Sequence, residues 1–499
     1  MTLRSVFRRE TKSTLIFLCM TAECSAPRAG PSAGIHGLDA VLGYIGCMTR
    51  SRLPALATWA AAARRATLPI AMGLALCGPA GAQEAPFRIG GKAAEPVRAV
   101  CAPMRDEISR RGLEDLQRGI LPPGVPTPPM AKALLELRIG AAEADPAYLR
   151  RAIDYFQQTP SEESMYRVTW FAQLLLATYA RDLELHAAAR RQYAKSLPPD
   201  TNRSSPSQLS LRATLVAAAH READGLGGEA GRALLRETVA RSSELLRSAG
   251  TVEQGEGLRS MERFHRQLVA QLALLERDGA TLRAQVASQR AAADASATPE
   301  IQQADLQALT KMLYDLATLV RGEEGLQAIA LLRQGFDRQA ELIALPANRG
   351  IGLPEVTYRG LETSRGQWQI HGVEGDRLCL LRTNLDRQRA MVDVLEQSLR
   401  ADTGVPDTAR LDAAIAALQR AGTALSLQPL PLLAPTLELT LGTAYRLQAV
   451  ASPAGPLRSQ RIDRARAQFG ASEQRLRQCF CRWFEEELAR ERAALDALS

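Results

Sequence analysis

Aromatic side chains make up only 5% of this 499-residue chain, and histidines number five. A chain poor in aromatics and rich in Ala, Leu and Arg favours helices over sheets. Lysine occurs five times, and no serine stands three residues before any of them. That removes the Ser-x-x-Lys nucleophile. His-Glu-x-x-His, Gly-x-Ser-x-Gly and Cys-x-x-Cys-His are absent too. His186, His220, His265 and His371 show no metal-ligand spacing. The paired acids Glu162-Glu163 and Glu323-Glu324 stand at helix starts, where the helix dipole accounts for them. No catalytic residue, cofactor or metal site is expected.

The formal charge is +8. Residues 1–82 hold nine Lys/Arg against three Asp/Glu, leaving 53 basic and 51 acidic residues beyond them. A body that close to neutral gives no electrostatic reason to bind a phosphate backbone, so no nucleic acid is expected. The charge sits in a leader. From Met48 come Arg50, Arg52, Arg64 and Arg65, then a short apolar run from Thr67 to Cys77, then Ala80-Gly81-Ala82 before Gln83. Positive charge, apolar core and small residues in that order make a secretory signal cleaved after Ala82. The apolar run is too short for a membrane span. Residues 1–47 read as an over-extended start. Export to the periplasm or beyond is the expectation, with a soluble product rather than a lipoprotein.

Cys101, Cys379, Cys479 and Cys481 follow the cleavage point. Four cysteines in an oxidising compartment permit two disulfides and three connectivities. Cys479 and Cys481 are expected on one helix from Ser472 to Leu498, facing opposite ways and so not bridged to each other, each within reach of Cys101 or Cys379. A Cys-x-Cys metal pair is the alternative. Glu485, Glu486 and Glu487 on that helix read as a solvated face.

Residues 83–130 form an N-terminal segment ending in a proline-dense linker, LPPGVPTPPM. Residues 131–345 are a helical repeat or bundle, and residues 377–499 a second helical region. Between them, residues 346–376 carry six glycines and read as an irregular loop or small β-hairpin. Loops this long are often functional, so Trp368 and His371 are candidates for ligand contact, with Trp368 as a plug on the core the alternative. Asp145-Pro146, Thr298-Pro299 and Asp407 or Thr408 mark helix starts. Gly225-Leu226-Gly227-Gly228 is a helix–helix turn, since no strand precedes it and no Gly-Lys-Ser/Thr follows. Leu258, Met261, His265, Leu268, Leu272, Leu275, Gly279, Leu282 and Val286 alternate spacings of three and four. That heptad seam suits one arm of an intramolecular hairpin, or a coiled-coil dimer.

The most ordered pattern lies between Asp145 and Pro199. Ala152 and Phe156 stand four apart, then Leu175 and Tyr179, then Ala189, Tyr193 and Leu197. Four-residue spacing stacks side chains on one helix face. Phe156 and Tyr193 are 37 residues apart. Downstream, Leu441, Gly442 and Tyr445 are followed by Ala465 and Phe469. These two islands resemble the tetratricopeptide repeat, with its Leu-Gly-x-x-Tyr row, its Ala-x-x-x-Phe row and its period of about 34. Ala172 stands where that family often has tryptophan.

The expected fold is therefore all-α, an irregular solenoid of antiparallel helix hairpins. The resemblance implies binding rather than catalysis, in a groove that holds a protein or peptide segment. Trp170, Gln173 and Thr178 are the candidate lining. The chain is expected to be a monomer or a coiled-coil dimer with association to the cell envelope. The alternatives are a cell-wall-acting enzyme on a helical scaffold, or an effector that starts at Met1.

Overall fold

The computed structural model describes residues 100–101, 105–120, 127–158, 163–197, 206–249, 256–296, 298–344, 373–374, 377–402, 404–426, 433–477 and 480–498. The first strand and helices are β1 Arg105–Asp106, α1 Glu107–Gln117, α2 Pro128–Glu143, α3 Pro146–Gln158, α4 Glu163–Ala180 and α5 Leu183–Lys195. Next come α6 Pro206–Leu226, α7 Gly228–Ala249, α8 Glu256–Glu276, α9 Gly279–Asp294, α10 Pro299–Leu319 and α11 Gly322–Ala344. The chain continues through β2 Val373–Glu374, α12 Arg377–Ala401, α13 Thr408–Ala424, α14 Leu433–Val450, α15 Pro456–Leu476 and α16 Trp483–Asp496.

Each helix packs on the next in sequence, and α8 also packs on α10, α12 on α14, and α14 on α16. The chain is thus an all-α solenoid of helix hairpins: α2/α3, α4/α5, α6/α7, α8/α9, α10/α11, α12/α13 and α14/α15. In two places the first helix of one hairpin rests on the first helix of the next: α8 on α10, and α12 on α14.

Three of the hairpins share one corner. Ala144, Arg181 and Arg277 have φ of 55°, 62° and 58°, the left-handed region that ends a helix. An aspartate follows each of them. The backbone N–H of Asp145, Asp182 and Asp278 reaches back to the carbonyls of Gly140, Ala177 and Ala273 at 3.1, 2.9 and 2.8 Å. The same aspartates then start the second helix: their carboxylates accept from Ala147 N, Leu185 N and Thr281 N at 2.8, 2.9 and 3.0 Å. One residue closes the first helix and opens the second, so the two run back to back. The small residue five positions earlier lets them approach. A Cβ on Gly140 would lie 2.7 Å from the Leu149 side chain.

The expected rows form the core. Ala152, Phe156, Ala172, Leu175, Ala189 and Tyr193 are buried together. Tyr179 is partly buried, and its hydroxyl donates to the Ala141 carbonyl at 2.9 Å. Downstream, Phe469 is fully buried and lies so close over Gly442 that a Cβ there would overlap its ring. Three apolar cores follow one another along the row. Helix α8 gives Leu268 to the first core and Ala273 to the second. Helix α12 gives Leu385 to the second and Val394 to the third. The second core therefore joins α11 to α12 across residues 346–376.

The heptad seam is not one long helix. It bends at Arg277-Asp278 into α8 and α9, and Met261, Leu268, Leu282 and Val286 are buried within the chain. The glycine-rich segment contributes β2, which pairs antiparallel with β1 rather than within a hairpin of its own. Trp368 and His371 lie outside the described residues. The helix expected from Ser472 to Leu498 ends at Leu476 and restarts at Trp483. Cys481 sits in the connector, not on a helix.

Candidate functional site

Of the expected lining on α4, Trp170 packs against the first core with its indole nitrogen out of solvent. The Thr178 hydroxyl donates to the Leu174 carbonyl of its own helix at 2.8 Å. Gln173 is partly exposed. These three do not converge on one point; the polar groups that do converge lie further along.

Two long-range closures cross the row of hairpins. At the first, Cys101 is disulfide-bonded to Cys379, with Cα atoms 5.7 Å apart. The Cys101 N–H also donates to the Ala424 carbonyl at 2.8 Å. Cys481 is in a disulfide as well, with a partner outside the described residues.

The second closure docks the connector 480–483 on the corner between α6 and α7. Arg482 N donates to the Asp224 carbonyl at 3.1 Å. The Trp483 indole N–H donates to the Asp224 carboxylate at 2.8 Å. Gln271 Nε2 donates to the same oxygen at 2.9 Å. A carboxylate only accepts, so the amide oxygen of Gln271 faces the other way and takes the Nε2–H of His220 at 2.7 Å. Asp224 is 4% exposed. A carboxylate buried that far needs such donors to replace the water it has lost.

The glycines make this docking sterically feasible. A Cβ on Gly225 would meet the Phe480 ring at 3.3 Å, one on Gly227 the Arg482 Cβ at 2.7 Å, and one on Gly231 the Trp483 ring at 2.7 Å. Gly227 and Gly228 also turn the chain at positive φ, as the sequence led one to expect. Beyond that turn, Gly225, Gly227 and Gly231 receive a segment some 250 residues downstream. Phe480 also sets its ring edge-on to His186, with centroids 5.4 Å apart. His186 is fully buried, and among the described residues neither ring nitrogen has a hydrogen-bond partner. Burial first, then the charges of Arg221 and Arg190, push its pKa down to about 3, so the ring is neutral.

Trp483, Glu487 and Glu491 are four apart and share one stripe of α16. Glu491 accepts from Arg446 on α14 at 2.8 Å. Glu487 lies near Asp315 on α10, which is itself paired with Lys311 at 2.6 Å. Glu487 is thus not part of a solvated face, unlike its exposed neighbours Glu485 and Glu486. Burial, then the negative charge of Glu491, raises its pKa to about 7, against a smaller opposing effect of Arg490. Tyr314 on α10 is pushed up by burial and by the same carboxylates.

His220, Asp224, Gln271, Tyr314, Asp315 and Arg446 all sit on the first helix of a hairpin, and α16 bonds to two of them, Asp224 through Trp483 and Arg446 through Glu491. Sequence reasoning missed Asp224, Gln271 and Trp483. The signal was present in Gly225, Gly227 and Gly231, whose spacing exceeds what one turn requires. Among the described residues no three His, Cys, Asp or Glu side chains are grouped to hold a metal ion. Among the same residues no helix is long and apolar enough to cross a membrane.

No family model and no curated protein matches the chain.

Proposed function

We propose that the chain is an exported scaffold of the cell envelope whose inner face, built from the first helix of each hairpin, holds a protein or peptide segment. The observation that carries this reading is the stacking of α8 on α10, α12 on α14 and α14 on α16. Stacking of first helices on one another is the arrangement helical repeats use to present a binding face. The tetratricopeptide-like rows support it, since their alanines and aromatics are spent on hairpin packing. The Cys101–Cys379 bond suits an oxidising compartment, and so supports export behind the Met48–Ala82 leader. The chain acts as a monomer in this reading, because the seam residues are used within one chain.

Affinity capture from envelope extracts tests it, with Tyr314→Ala as the face variant. Partners held by the wild-type chain should fall at least ten-fold with the variant. Equal capture by both would overturn the reading. N-terminal sequencing of the exported product should begin at Gln83.

A second reading, an enzyme acting on a cell-wall polymer, draws on Glu487. A carboxyl that keeps its proton near neutral pH beside Glu491 and Asp315 suits general acid work. Release of soluble fragments from peptidoglycan, abolished by Glu487→Gln, would favour it over the scaffold.

A further inference from the structure

We propose that residues 480–496 are a clasp: they occupy in cis the face that a partner would take, and binding requires their release. This rests on the scaffold reading and adds its regulation. The stripe of α16 spans the inner face. Trp483 reaches Asp224 on α6 and Gly231 on α7, Glu487 lies near Asp315 and Tyr314 on α10, and Glu491 pairs with Arg446 on α14. One helix therefore bonds to the first helices of two separate hairpins, α6 and α14, and carries a carboxylate close to a third, as a bound segment would.

The attachment is uneven. Next to the stripe, Leu488 and Leu495 are buried in the third core, with Phe484 packed against it. That side holds α16 to its own neighbours, α14 and α15. The Trp483 end meets distant hairpins, and its donors and acceptors are few. They are the indole bond to Asp224, the Arg482 N–H to the Asp224 carbonyl, and an exposed pair of Arg232 with Glu486 at 3.5 Å. An exposed pair of that length adds little. The clasp is thus held in the third core by Leu488, Leu495 and the disulfide-bonded Cys481, and its releasable part is the seating of the Phe480 and Trp483 side chains on the α6–α7 corner.

Its chemistry also describes the competitor. Phe480 and Trp483, three apart, fill recesses left by Gly225 and Gly231, and an acidic helix follows. A partner of this face carries an aromatic-x-x-aromatic turn that opens an acidic helix.

The probe is a labelled synthetic peptide of residues 480–498, added in trans to the full chain. Trp483→Ala, which vacates the Gly231 recess, should bind the peptide at least ten-fold tighter than the wild-type chain. Trp483→Ala with Asp224→Ala should lose that gain. Equal binding by wild type and Trp483→Ala would overturn the clasp. If Trp483→Ala fails to fold, the wild-type chain still answers. Excess peptide should speed hydrogen exchange of its own α16 amides and leave α10 unchanged, and no change in α16 would overturn the proposal. The peptide measurement needs no partner, so it fails or succeeds apart from the envelope capture that tests the scaffold reading.

Discussion

Phe469 on α15 lies over Gly442 on α14, so close that the glycine hydrogen fills the place of a side chain. The ring is fully buried, and Ala465, one turn earlier, is buried beside it. A single methyl added at position 442 must move a ring that has no free volume around it. Gly442→Ala should therefore cost about 1–3 kcal/mol in a denaturant titration. Gly470→Ala is the control. It sits on α15, next to Phe469, with nothing within 4 Å of its Cβ, and it should gain up to about 1 kcal/mol from helix propensity.

The hairpin corners make a paired prediction. Arg277 holds φ of 58° at the turn between α8 and α9, where a side chain is strained. Arg277→Gly should stabilise by up to about 1 kcal/mol. Asp278→Ala should cost about 1 kcal/mol, because the carboxylate caps α9 through Thr281 N at 3.0 Å. Opposite shifts of the thermal midpoint from adjacent residues would identify the corner as the shared hairpin device.

The disulfide at Cys101 spans 278 residues of sequence. A bond of that span is expected to stabilise by about 2–4 kcal/mol, largely by restricting the unfolded chain. Cys379→Ser should lower the melting temperature, and reductant, which also opens the Cys481 bond, should lower the wild type at least as far. Non-reducing peptide mapping should recover Cys101 linked to Cys379. With the leader removed as proposed, Cys479 is the cysteine left for Cys481, so the same map should join the two, against the expectation from one continuous helix.

Stability should respond to pH through two groups of opposite sign. The fully buried His186 has its pKa pushed down to about 3 from an ordinary 6.5. Below pH 6.5 the unfolded chain takes up a proton that the folded ring refuses, so folding weakens between pH 6.5 and 3. This one group contributes at most about 1.4 kcal/mol per pH unit in that window. Glu487 works the other way. Its folded carboxyl holds a proton up to about pH 7, while the unfolded one releases it near 4.5, so its contribution is present at low pH and is lost as pH rises through that window. Part of the Glu487 side chain stays accessible, and solvent screening makes its effect the smaller. His186→Leu should flatten the acid limb of a melting-temperature profile. Glu487→Gln should lift the limb above pH 7.

Much of the helical row was legible from spacing and caps. Ala152 with Phe156, Ala189 with Tyr193, and Ala465 with Phe469 are local pairs, and helix geometry alone brings each pair to one face. Thr298 and Asp407 cap α10 and α13 where expected. The candidate lining was less legible. Trp170 turned out to be partly spent on the core, and the polarity of Thr178 on its own backbone. The heptad seam from Leu258 to Val286 hid a corner, because Arg277 in the left-handed region leaves no mark on an apolar pattern.

Short-range periodicity and capping, which depend on residues within a turn or two of each other, settled by themselves that this chain makes helices and that many of them fold back in pairs. The meeting of Asp224 with Trp483, and of Cys101 with Cys379, was decided only in three dimensions. Each joins residues more than 250 positions apart. Their encounter depends on the accumulated angle of every hairpin between them, and no local pattern of side chains records that sum.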